Sequence, residues 1–116
     1  MTTPTLSSLL DTWEAFASSL AGGYDFGLDD YLNDLDVRQL IEQALLSARE
    51  PVDERLRKRL ETADELVLAA TERTHTCLWG SHNAAERGWQ SDQNWWYFAM
   101  PRERSAEFDD DVEQLS

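Results

Sequence analysis

A chain of 116 residues, 41% hydrophobic and 28% charged, is long enough for one hydrophobic core and too short for two. Its formal net charge of −13 argues against nucleic acid and against an anionic membrane as partners, since both would repel it. The single cysteine, Cys77, rules out an intrachain disulfide. No basic-then-apolar leader follows Met1 and no apolar run approaches the roughly 20 residues that span a bilayer, so the expected location is cytoplasmic.

Thr3 or Thr5 is placed to cap a first helix, with Pro4 suited to its first position. Leu6, Leu9, Leu10, Trp13, Phe16, Ala17 and Leu20 recur at intervals of three and four, which makes one apolar helix face, and Gly22-Gly23 stops it. Residues 24–27 read as a turn with buried rings at Tyr24 and Phe26. A short helix using Leu28, Tyr31, Leu32 and Leu35 follows. Asp36 then caps another, with Gln39 completing a capping box and Val37, Leu40, Ile41, Ala44 and Leu45 as the buried stripe. Pro51 pushes the residue before it out of helical geometry, so this helix must end near Ala48 or Arg49.

Pro51 also opens a third helix, with Asp53 and Glu54 in its first turn. Val52, Leu56, Leu60, Ala63, Val67 and Ala70 hold the period to about Arg73. The stripe continues through Thr74, Cys77 and Leu78, but Thr71, Thr74 and Thr76 favour extended chain, and residues 74–79 are predicted as a strand. Asn83 and Glu86 mark one helical turn within residues 81–88, stopped by Gly88, and residues 90–94 are polar loop. The run Trp95-Trp96-Tyr97-Phe98-Ala99-Met100 suits a second strand, paired antiparallel with residues 74–79 and ended by Pro101. Residues 1–106 are thus expected to form one small globular domain. Residues 107–116 read as an acidic, partly disordered tail with at most a marginal final helix, because Phe108, Val112 and Leu115 are too few to offset an ordering cost of roughly 1–2 kcal/mol per residue.

The chemistry-bearing residues are sparse. His75, Cys77 and His82 are the soft metal ligands, and their spacing completes no zinc pattern. Glu72-x-x-His75 matches half of a carboxylate di-iron site, but no second copy of the motif exists. A nucleophile would need Cys77 or a serine beside a histidine oriented by a carboxylate, and a lone cysteine on an apolar stripe is usually a small buried hydrophobe. No catalytic residue, metal ligand or cofactor is assigned. An enzyme using a small ligand or a metal around His75, Cys77 and His82 stands as the alternative.

Two features remain. Residues 1–37 hold seven acids and no Lys or Arg, while Arg55, Arg57, Lys58 and Arg59 cluster on the third helix. Four of the five tryptophans fall between Cys77 and Pro101, too many rings for a small chain to bury completely. The expected fold is mainly α, a small α+β arrangement of three or four amphipathic helices with a C-terminal two-stranded antiparallel hairpin. The expected function is that of a non-enzymatic acidic binder of a basic protein, of the antitoxin, immunity-protein or inhibitor kind. Its contact residues are taken as Trp79, Trp89, Trp95 and Tyr97, with Trp95 and Tyr97 on the outward strand face. An accessory domain that only self-associates is the blandest alternative.

Overall fold

Thr5 begins the first helix, its hydroxyl oxygen accepting the Ser8 amide at 3.1 Å, and α1 (Leu6–Ala21) follows. The computed structural model describes residues 5–49 and 51–114, so the expectations for Thr3, Pro4 and Leu115 lie outside the described residues. Leu9, Leu10, Trp13, Phe16, Ala17 and Leu20 are all buried, as their period requires. Gly22 caps the helix, and Gly23 turns the chain with a φ of 97°, a conformation that glycine adopts without steric cost. Tyr24 then enters the core. Phe26, expected beside it, is 62% exposed and meets the Tyr24 ring edge-on at 5.7 Å.

α2 (Leu28–Ser47) runs unbroken through 20 residues where two helices divided at Asp36 were expected. The local pattern of a cap loses to distant donors. The Asp36 carboxylate accepts the Tyr97 hydroxyl at 2.6 Å and Trp79 Nε1 at 3.3 Å, so it has no need of its own helix's amides. Ile41 is buried, Val37 and Leu45 are half-buried, and Leu40 stays exposed. The helix ends at Ser47, in the place that Pro51 demands. α3 (Glu54–Ala70) starts from Asp53, whose carboxylate accepts the Arg55 amide at 2.8 Å, so Pro51 precedes the helix instead of opening it.

α1 packs along α3 and α2. α3 passes directly into β1 (Thr71–Arg73), which pairs antiparallel with β2 (Ala99–Pro101), Thr71 opposite Pro101 and Arg73 opposite Ala99. The molecule is therefore mainly helical with a two-stranded antiparallel sheet, but the strands are not those predicted. Residues 74–79 are irregular, and Trp95–Phe98 coils as a 3-10 helix. An extended chain would send alternate rings to opposite faces. The tight coil instead buries Trp96, Tyr97 and Phe98 in succession. The two segments still touch, since the Thr74 amide donates to the Phe98 carbonyl and the Leu78 amide to the Tyr97 carbonyl, each at 2.8 Å. Tyr31 fixes the sheet to α2 by donating its hydroxyl to the Ala99 carbonyl at 2.6 Å. Between the strands, α4 (Ser81–Arg87) is stopped by Gly88 at a φ of 71°. In place of the expected capping box, Asn83 Nδ2 donates to the Trp79 carbonyl at 2.7 Å.

The segment read as an acidic, partly disordered tail differs most. Residues 106–113 form α5 (Ala106–Glu113), capped by Ser105. Phe108 is 0% exposed, edge-on to Tyr31 at 5.2 Å and to Tyr24 at 6.1 Å. Asp111 Oδ2 accepts the Leu28 amide at 3.1 Å, which places an acid at the positive end of α2. Gly27 lies directly beneath this contact, where a Cβ would come within 3.1 Å of Asp111 Oδ2. One ring and one helix-end carboxylate hold what a count of apolar residues does not.

Near this junction the Tyr24 hydroxyl donates to Asp34 Oδ2 at 2.8 Å. Burial nonetheless holds the Asp34 carboxyl above its ordinary range, with Asp30 adding to the effect. A carboxyl raised by folding weakens the fold where it is ionised. Asp34→Asn, which keeps an oxygen for Tyr24, is expected to raise the thermal midpoint at pH 7. The gain should vanish as the pH falls through the folded carboxyl's range and below its unfolded value. A midpoint difference that does not change with pH would refute this.

Candidate functional site: an aromatic cleft between α2 and α4

Asp36, Gln39, Leu40 and Gln43 share one face of α2, spaced at i, i+3, i+4 and i+7. Opposite them stand Trp79, which precedes the turn at Gly80, and Asn83 and Arg87 on α4. Trp89 and Tyr97 complete a cleft of about 740 Å³. The Trp89 ring stacks on Tyr97 with centroids 4.2 Å apart and planes 29° apart, and the Arg87 guanidinium lies 5.6 Å from the Trp89 ring centre.

The Asp36 carboxylate organises the floor. Its Oδ1 accepts both Tyr97 and Trp79, and its Oδ2 accepts no hydrogen bond from the described residues. Burial, then the bond to Asp36, pushes the Tyr97 hydroxyl far above an ordinary tyrosine, so it stays a proton donor. Behind the floor, Trp96 Nε1 is the buried side-chain nitrogen without a partner among the described residues. On the α2 side, Asn94 Nδ2 donates to Gln39 Oε1 at 3.3 Å and ties the loop before Trp95 to the helix.

Three of the four residues singled out in the sequence, Trp79, Trp89 and Tyr97, thus converge on one cleft. Trp95 does not line it. Trp95 is half-buried, edge-on to Trp96 at 5.8 Å. Tyr97, expected on an outward strand face, is 1% exposed, because the 3-10 coil turns its ring inward, where it stacks on Trp89 at the back of the cleft. Trp89, expected to be exposed, is half-buried. Asp36, Gln39, Gln43 and Arg87 were missed. The three on α2 already share one face of the predicted helix, but nothing local to that helix or to Arg87 on α4 shows that they meet across a cleft.

The alternative centre does not assemble. The His82 side chain is 84% exposed and meets Glu86 one turn along α4 at 3.2 Å. His75 is exposed on a separate groove with Leu78, Met100 and Val112. Cys77 is buried, and burial pushes its thiol upward, away from thiolate chemistry. Among the described residues, no three His, Cys, Asp or Glu side chains are grouped to hold an ion. No helix among them is long and apolar enough to cross a membrane.

Of the basic cluster, Arg59 answers its neighbours. It donates to Asp11 at 2.7 Å and to Glu14, and its bond to Glu14 holds that carboxyl below its ordinary range against the opposing charge of Asp11. Arg55, Arg57 and Lys58 are exposed and pair with no acid among the described residues. Comparisons with family models, with curated proteins and with solved structures gave no match.

Proposed function

We propose that the protein is a non-enzymatic binding protein of the cytoplasm that receives part of a basic protein partner in the cleft between α2 and α4. The observation that carries this is the convergence of Trp79, Trp89 and Tyr97 on an open cleft whose other lining is three amides, Leu40, the Asp36 carboxylate and the displaceable, exposed Arg87 guanidinium. Half-buried indoles with a polar rim are the usual anchors of protein interfaces. The net charge of −13 steers a cation-rich surface towards such a cleft and repels an acidic one. Self-association of a chain so acidic is disfavoured by the same field.

Gln43→Arg tests the reading without disturbing the core, since Gln43 is an exposed helix residue and arginine forms helix as readily as glutamine. The immobilised wild-type chain is expected to retain a basic protein from native host lysate at low salt and to release it at high salt. The variant should lose at least about tenfold of that affinity, as truncation of a hot spot does, with an unchanged circular dichroism spectrum. Equal retention by the two would remove the cleft from the interface.

A further inference from the structure

The occupant of the cleft follows from what its floor leaves unsatisfied. We propose that the cleft is a receptor for a single lysine ammonium, presented by the basic partner inferred above. The inference rests on that reading. Asp36 has spent Oδ1 on Tyr97 and Trp79, and Oδ2 accepts nothing from the described residues. One carboxylate oxygen is therefore offered to the cleft, not two. A guanidinium pairs best as a planar fork with both oxygens of a carboxylate, and Asp36 cannot meet it in that way. An ammonium is a compact charge that needs one anionic oxygen and is content with ring faces for the rest.

The rings are there. Trp79 and Trp89 are half-buried at the wall, and Tyr97 backs Trp89 in a 4.2 Å stack that holds its plane in position. Indole is the ring that attracts cations most strongly. The four-carbon stem of a lysine would lie against exposed Leu40, with its charge at Asp36. The molecule already keeps a cation beside this wall, the exposed Arg87 guanidinium at 5.6 Å from Trp89. Arg87 is thus a resident competitor that an incoming ammonium must move aside.

The test titrates the whole chain with Nα-acetyl-lysine methylamide, with the arginine analogue and with the uncharged norleucine analogue, following the indole N–H signals of Trp79 and Trp89 by NMR. The lysine compound should shift both indoles saturably. Norleucine should bind at least about tenfold more weakly and arginine several-fold more weakly. Asp36→Asn keeps an oxygen for Tyr97 and Trp79 but removes the charge, and should cost lysine at least about tenfold. Arg87→Gln, at an exposed position, should tighten lysine binding several-fold. Equal binding of lysine and norleucine, or weaker lysine binding in Arg87→Gln, would overturn the proposal. If lysine leaves both indoles unmoved while Gln43→Arg still abolishes capture, the ammonium site falls and the binding-protein reading survives. If lysine binds as described while capture ignores Gln43→Arg, the ammonium site stands and the protein partner falls.

Discussion

Asp64→Ala is expected to destabilise the fold by about 3–5 kcal/mol, the usual penalty for leaving a buried charge without its partner. Arg38 is 6% exposed in the middle of α2. Its Nε and Nη2 donate to the two oxygens of Asp64 on α3, both at 3.0 Å, and its Nη1 reaches Glu42 at the same distance. Its guanidinium also lies 4.5 Å from the centre of the Trp96 ring. Asp64 further accepts Trp13 Nε1 at 3.0 Å, so one carboxylate links α1, α2 and α3. Alanine orphans both the guanidinium and the indole, whereas Asp64→Asn retains an acceptor and should lose less. Joint replacement by Arg38→Met and Asp64→Leu should recover the part of the loss due to the orphaned guanidinium, because an apolar pair avoids its desolvation penalty, while the Trp13 indole stays unpaired. Urea unfolding measures all three. A loss below about 1 kcal/mol for Asp64→Ala would mean that Glu42 alone holds the charge.

Phe108→Ala should cost a similar 3–5 kcal/mol, the range for emptying a fully enclosed aromatic site. Against a typical total of about 5–15 kcal/mol, either substitution consumes a large share of the stability. Shortening the chain after Ser105 should do at least as much harm, since it also takes Asp111 from the α2 terminus. An unchanged unfolding midpoint in the shortened chain would show that α5 rests on the fold without supporting it.

Where the residues speak through period alone, the sequence is legible. The α1 stripe and its glycine stop are read directly, because one face of one helix decides them. Asp36 was misread because a capping pattern is local, whereas Tyr97 and Trp79 reach it from 61 and 43 positions away. The run from Trp95 to Met100 was misread because aromatic residues favour strands when only their neighbours are considered. Three successive rings turned inward require a coil that no pairwise propensity reports. The docking of α5 was missed because a single ring packed against Tyr24 and Tyr31 outweighs an acidic composition. The cleft was legible as a set of tryptophans and illegible as a shape, since nothing in the sequence places the polar helix face of Asp36, Gln39 and Gln43 opposite them.

The clasp between α5 and the start of α2 also bears on when the chain can finish folding. Asp111 and Leu28 are 83 positions apart, and Phe108 closes a ring cluster begun at Phe16 and Tyr24. While the chain is still being translated, the first three helices emerge with that cluster open and its rings wet. Sealing waits for residues 106–113 to clear the ribosome, and the long loop they must close makes this a slow step relative to helix formation. A nascent chain paused before α5 therefore leaves open a ring cluster that the finished chain buries.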